Sequence, residues 1–344
     1  MFFNDEMNIK KYLSENPVVV APMAGITDKA FRLIARQFGA GLIYSEMISA
    51  KAVTYKNQRT YELFDLKDEV NPIVIQLFGS EAEIMAEAAA FIEDAEKPAA
   101  IDINMGCPVP KVVKNLEGSA LMKDPILAAK LVSAVKKSVK IPVSVKFRSG
   151  WDNESLNYLD FAKRMEDAGA DFMAVHPRTR TQMYAGKSDW SVIREVKEAV
   201  KVPVIASGDV YTAQDFARVT QETNCDGVML ARGILGNFHL IKEIHAHLEN
   251  ISIEEPSPSE KMKLLEKHLD LLIKYKGEDI ATKEIRKFFA WYTKNLPGAA
   301  RLRTEVNSIK SSEEFKGFLN KIEKDDYFAA RASLPNPQDV SPVW

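Results

Sequence analysis

The chain has 344 residues, 46% hydrophobic and 27% charged, a balance that suits a globular protein with one large domain and a smaller one. Its net charge of -2 excludes a general attraction to polyanions, so any nucleic-acid surface has to be a local basic patch. Two cysteines, Cys107 and Cys225, exclude a disulfide framework or a cysteine metal cluster and fit a reducing cytoplasm, with no metal expected.

The N-terminal run MFFNDEMNIKKYLSENP carries acids and lacks the apolar core of a signal peptide. No later segment reaches the roughly 18 uninterrupted apolar residues that span a bilayer. A soluble, cytoplasmic protein with no membrane partner is expected.

From Pro17 to Glu249, short β-rich runs alternate with amphipathic segments. Strands are predicted at Val18–Met23, Leu42–Met47, Pro72–Gly79, Ala100–Gly106, Pro142–Arg148, Phe172–Arg178, Pro203–Asp209 and Gly227–Arg232. Helices are predicted at Asp28–Phe38, Thr54–Phe64, Glu81–Glu96, Pro125–Val139, Leu156–Ala168, Trp190–Val200, Ala213–Glu222 and Gly236–Leu248. Eight strand–helix pairs over residues 1–250 predict a (β/α)8 TIM barrel. The first strand ends in Pro-Met-Ala-Gly, which is not the glycine fingerprint of a doubly wound sheet.

Residues 251–260 read as a linker in which Pro256 and Pro258 prevent continuous helix. Helical spacing resumes at Lys261–Tyr275, Asp279–Lys294, Ala299–Ile309 and Ser312–Glu323, predicting a small all-helical domain over 261–334 and an irregular tail over 335–344. Between Lys274 and Arg303 eight basic residues face three acids, a local excess of five, with Phe288, Phe289, Trp291 and Tyr292 interleaved. Lys283, Arg286 and Lys287 are candidates for an RNA backbone. A solvated basic face over an aromatic core is the competing reading.

In a barrel the chemistry sits at the C-terminal strand ends. These ends present Pro22-Met23-Ala24, Glu46, Gln76, Asn104 with Cys107, Lys146 with Arg148, His176 with Arg178, Ser207-Gly208-Asp209 and Ala231-Arg232-Gly233. Lys146 is read as pointing with Val143 and Val145 into the mouth, where a lysine needs an anion, a carbonyl or an ion pair with Glu46 or Asp102. Arg178 and Arg180 beside His176 would keep the ring neutral. The last two strand ends suit a phosphate, and a flavin mononucleotide has the matching shape. Cys107 follows Asn104 and Gly106 in a loop that Pro108 and Pro110 keep from helix. As a lone thiol it reads first as a small buried hydrophobe in a loop.

The blocks APMAGITDKAFR, SEM, INMGCPVPKV, VKFRSGW, HPRTRTQMYAG and IASGDV, with KEIRKFFAWYTKNLPGAARLR further on, resemble the tRNA-dihydrouridine synthases, most closely their bacterial B-type branch. The resemblance runs along nearly the whole chain. It implies an FMN enzyme that takes reducing equivalents from NADPH and reduces the C5–C6 bond of specific uridines in tRNA. Flavin supplies hydride at C6, and a thiol supplies the proton at C5. On matching positions Pro22, Met23, Ala24, Gln76, Lys146, His176, Ser207, Gly208, Asp209, Ala231 and Arg232 hold FMN. Cys107 is the general acid, on a mobile lid, and Asn104 and Arg178 contact the uracil. Ser207 and Ala231 stand where the family often has Asn and Gly. Two alternatives stay open: an FMN barrel reducing a small molecule, of dihydroorotate or enoate type, and an RNA-binding protein without catalysis.

Overall fold

A computed structural model describes residues 8–324 and 327–328. The expected tail at 335–344 and the end of the expected helical domain lie outside them.

The strands are β1 (Val18–Val20), β2 (Ile43–Ser49), β3 (Ile73–Phe78), β4 (Ala100–Met105), β5 (Val143–Arg148), β6 (Phe172–His176), β7 (Val204–Ser207) and β8 (Gly227–Leu230). They form one closed parallel barrel in chain order, with β1 returning to β8 through Val18↔Val228 and Val20↔Leu230. The predicted TIM barrel is therefore the observed fold. Strands covered on both faces need apolar side chains on both, which is why these runs are rich in Val and Ile. Val19, Leu42, Tyr44, Val74, Ala100, Phe172, Ala174, Ile205 and Met229 make one buried cluster. Alternation then puts Gln76, Asp102 and His176 on that face, further along their strands.

Six of the eight strands end earlier than predicted, while β5 ends at Arg148 as expected and β2 runs on to Ser49; left-handed residues turn the chain after β1 and β7. Gly25 (φ 71°), Gly208 (φ 134°) and Asp209 (φ 55°) all turn the chain this way. Pro22, Met23, Ala24, Arg178, Gly208, Asp209 and Ala231 consequently sit in loops just past the strands, and Arg232 opens a short 3-10 turn, Arg232–Ile234. The predicted orientation of Lys146 needs a correction. With a period of two, Lys146 shares a face with Ser144, whose hydroxyl bonds the fully buried Asp102 at 2.6 Å, and opposes that of Val143 and Val145. Lys146 still reaches the mouth, from the inner face.

The helices pack their apolar sides around the barrel. In Lys29–Gln37, Phe31, Ile34 and Ala35 are buried, and Asp28 caps the start by accepting from Phe31 N at 2.9 Å. Arg32 on this helix meets Glu69 in an ion pair with both side chains 2% exposed, Nε to Oε2 at 2.8 Å. The predicted helix over Thr54–Phe64 is instead two, Ala50–Thr54 and Gln58–Phe64, separated at Lys56 with φ 52°. Pro110, expected to prevent helix, opens the short helix Pro110–Val113 at its first position, where proline costs nothing. No helix among the described residues is long and apolar enough to cross a membrane.

The chain divides into two compact units. One comprises residues up to Gly233 with Leu240–Glu249, the other Ile234–His239 with the residues from Asn250 onward. The second contains helices Pro258–Lys276, Glu278–Tyr292, Ala299–Val306 and Ser312–Lys324. Pro258 starts the first of these rather than interrupting it, because Ser257 and Glu260 close a capping box in front of it. The core of this unit holds His268 against Phe238, Phe288 and Tyr292, with ring centroids 6.4, 4.2 and 6.1 Å away. Gly236 (φ 67°) passes so close to the helix Glu278–Tyr292 that a Cβ would lie 2.3 Å from the carbonyl carbon of Trp291. Only glycine fits there.

Candidate active site

The mouth of the barrel is organised by a chain of hydrogen bonds across β3, β4 and β5. Asp102, fully buried, accepts from Ser144 Oγ at 2.6 Å and from Gln76 Nε2 at 2.7 Å. Gln76 Oε1 accepts from Asn104 Nδ2 at 2.7 Å. Asn104 Oδ1 in turn accepts from the backbone N–H groups of Gly106 (3.1 Å) and Cys107 (2.9 Å). Burial pushes Asp102 up to about 6, opposed by the bonds from Ser144 and Gln76 and by the charge of Lys146. It stays a carboxylate at neutral pH.

Cys107 is half-buried, and its loop is tied down on both sides. Its carbonyl accepts from Ser119 N at 3.0 Å and Ser119 Oγ at 2.8 Å. The Arg148 Nε donates to the carbonyl of Gly106 at 2.7 Å. The loop expected as a mobile lid is thus pinned at its thiol-bearing end. Burial raises the Cys107 thiol above its ordinary value, against smaller opposing effects of the Val109 backbone and Arg148. At neutral pH it carries its proton.

Positive charge concentrates around His176. Burial, reinforced by Arg148, lowers Lys146 to about 8 while Asp102 opposes the shift. Burial and then Lys146, Arg148, Arg178 and Arg232 hold His176 well below its ordinary value, so the ring is neutral. The expected effect of neighbouring cations on His176 is present, although Arg180 instead stacks on Trp151 at 4.8 Å. Arg178 is committed within the protein. It donates to Ala185 O (3.1 Å), Gly186 O (2.6 Å), Ser188 Oγ (2.7 Å) and Asp209 Oδ2 (2.7 Å). That engagement makes it a wall of the mouth rather than an outstretched donor. Asp209 Oδ1 meets Arg232 at 3.1 Å, and the Arg232 guanidinium lies between Tyr184 and Tyr211 at 5.2 and 5.7 Å.

The remaining predicted positions fall around this centre. Met23 and Ala231 pack on the interior cluster, Ser207 is buried, and Pro22 and Ala24 line the loop after β1. Gly208 lets its backbone run beside Ser188: a Cβ would lie 2.4 Å from Ser188 Oγ and 3.2 Å from the His176 ring. In the helical unit Lys283 is exposed, whereas Arg286 donates to the Ile309 carbonyl at 2.6 Å and Lys287 lies 3.9 Å from Glu284. Phe288, Phe289 and Tyr292 are core. Sequence reasoning names Arg148 only as a strand-end residue and Asp102 only as a possible ion-pair partner of Lys146, and does not single out Tyr184 or Tyr211. The signal for Arg148 is present all the same, since it lies two residues after Lys146 on the same strand face. Among the described residues no group of three or more His, Cys, Asp or Glu is arranged to hold a metal.

This mouth combines a protonated thiol, a neutral imidazole and several cations, a set suited to proton transfer beside an anionic ligand. The dihydrouridine synthase family model matches residues 19–329, spanning both units. The chain belongs to the dihydrouridine synthase family. It is 42% identical over 301 residues to a probable tRNA-dihydrouridine synthase of Rickettsia prowazekii, covering 87% of this chain and 91% of that one. A probable tRNA-dihydrouridine synthase 1 of Synechocystis is 39% identical over 307 residues, 88% of this chain and 85% of its own. The tRNA-dihydrouridine synthase B of Vibrio parahaemolyticus is 35% identical over 322 residues, 92% and 99% of the two chains. Membership in this family agrees with the resemblance carried by the GCP and HPRTR blocks.

Proposed function

We propose that the chain is a tRNA-dihydrouridine synthase, acting in the cytoplasm, that reduces the C5–C6 bond of uridine in tRNA with FMN as cofactor and NADPH as reductant. The observation that carries this reading is Cys107. It is a thiol kept protonated by burial, held by Asn104 at the strand end, in a family whose relatives bear that name.

The residues present suit a flavin nucleotide. Lys146, Arg148, Arg178 and Arg232 all bear on His176, an excess of positive charge that an anionic phosphate and an electron-rich ring would relieve. Lys146, His176, Ser207, Gly208 and Arg232 would hold it, with Asp209 aligning Arg232 and with Pro22, Met23, Ala24, Gln76 and Ala231 closing the pocket. Bound there, FMN supplies the two-electron reduction of the uracil ring.

The chain's own residues handle charge and protons. Cys107 releases its S–H proton to C5, and the resulting thiolate lies within the field of Arg148 before it recovers a proton from solvent. Lys146 and Arg148 stabilise negative charge that develops on a uracil carbonyl. Asn104 keeps the thiol loop in register. A uridine inside folded tRNA has to be swung out to reach such a mouth, so the helical unit is assigned the grip on RNA, with Lys283 the exposed one of the three candidates Lys283, Arg286 and Lys287.

The deciding test is the dihydrouridine content of tRNA from cells lacking the gene, with complementation by wild type and by Cys107→Ala. The reading requires loss in the deletion strain, recovery with wild type and none with the variant. An unchanged dihydrouridine level would transfer the activity to a small-molecule substrate.

A further inference from the structure

Gln76 and Asn104 are carboxamides, which can present either end to a neighbour. Their surroundings are not symmetric. Asp102, once ionised, can only accept, and the N–H groups of Gly106 and Cys107 can only donate. Between these two fixed ends, 2.7 Å steps join Asp102 to Gln76 and Gln76 to Asn104. One arrangement satisfies every link: Gln76 gives its NH2 to Asp102 and its oxygen to Asn104, and Asn104 gives its oxygen to the loop. Asp102 is 0% exposed, Gln76 1% and Asn104 7%, so water does not replace a lost partner cheaply.

We infer that Asp102 is a positioning residue that acts through Gln76 on the neighbouring strand to orient the Asn104 carboxamide, and so holds Cys107 in place. Asp102 does not touch the thiol loop; its influence passes through two amides whose polarity it sets. Ser144 supports it by donating to the oxygen that Gln76 leaves unused. The inference deepens the reading of Cys107 as the acid. It concerns the loop itself, however, and would survive if another group proved to be the donor.

The chain of polarities makes a distinctive test. Asn104→Asp alone places acceptors on both sides of Gln76, which has only one NH2 end to offer. Adding Asp102→Asn lets the chain reverse: Asn at 102 donates to the Gln76 oxygen, Gln76 donates to Asp at 104, and both loop N–H groups keep an acceptor. Asp102→Leu with Asn104→Asp removes the same negative charge but supplies no donor. The readout is the alkylation rate of Cys107 by iodoacetamide, followed at its own peptide by mass spectrometry in the otherwise full chain. Asn104→Asp should raise that rate by about tenfold or more, the scale of an unsatisfied buried polar group. Asp102→Asn should bring it back to within about threefold of wild type, and Asp102→Leu should not.

If Asn104→Asp does not fold, recovery of a folded circular dichroism spectrum by Asp102→Asn and not by Asp102→Leu is the same result. Three outcomes overturn the inference: an Asn104→Asp rate close to wild type, equal rescue by leucine, or no rescue by asparagine.

Discussion

Arg178 and Asp209 meet at 2.7 Å with the arginine 1% exposed, and the same carboxylate reaches Arg232 through its other oxygen at 3.1 Å. One acidic side chain therefore holds two guanidinium groups in the wall of the barrel mouth. Burial alone would raise Asp209, but the bonds from Arg178 and from Ser188 N outweigh it and hold the carboxyl below its ordinary value. Asp209→Asn should cost roughly 2–4 kcal/mol at pH 7, because the buried Arg178 loses its counter-charge. A carboxyl depressed in the folded state contributes stability above its unfolded pKa and loses it as pH falls through the folded one. The gap between wild type and variant in urea denaturation should therefore close in acid. Equal stability at pH 7 would contradict this account.

His176 gives a slope of the same sign, in a higher pH range. Its ring is neutral in the fold, while the unfolded chain titrates it near the ordinary histidine value, so the unfolded state binds more protons below about pH 6.5. Its contribution to stability is complete above that pH and declines below it. In NMR spectra of the folded protein the His176 ring should show no protonation step between about pH 6 and 8. A midpoint near 6.5 would mean that the surrounding cations are not felt.

Cys107→Ala should retain flavin absorbance while turnover drops by roughly 10²–10⁴-fold, the range of a lost general acid. In the unmodified protein, burial predicts that alkylation of Cys107 rises with pH later than that of a free thiol. A Cys107 that alkylates with the profile of free cysteine would remove burial as the reason it stays protonated.

Much of the barrel and its mouth is legible in the amino-acid sequence. The Val- and Ile-rich runs between amphipathic segments lead to eight barrel strands, and their polar ends lead to Cys107, Lys146 and His176. The hydrogen-bond chain from Asp102 to Cys107 is not legible there, because it depends on register between strands: Gln76 pairs with Asp102, and Asp102 with Ser144. Nothing within one strand encodes which neighbour it will oppose. Pro258 misleads for a local reason, since its effect turns on whether the residue before it can cap. Ser257 does so, and the helix starts where a break is expected.

The basic helical unit separates two kinds of arginine and lysine. Lys283 is exposed, so Lys283→Glu should weaken tRNA binding and lower the slope of log affinity against log salt by about 1, leaving the melting temperature unchanged. Arg286 bonds the Ile309 carbonyl at 2.6 Å, so Arg286→Ala should lower thermal stability by about 1–2 kcal/mol. Filter binding at several salt concentrations, with parallel melting curves, distinguishes them. Identical behaviour of the two variants would undo the distinction.

The residues Ile234–His239 belong with the helices although the barrel resumes after them, so the polypeptide enters the second unit, leaves it and enters again. Phe238, 1% exposed, faces the rings of His268 and Tyr292 from that short excursion. A fragment beginning at Asn250 would lack this phenylalanine and present an open aromatic socket to water, a loss of about 3–5 kcal/mol by the measure of buried phenylalanine deletions. A fragment ending at Asn250 would carry the same side chain with nothing to cover it. Two proteins made by severing the chain there should each be sticky and poorly folded, and heredity that shuffled these halves between genes would have to carry the excursion along with the helices.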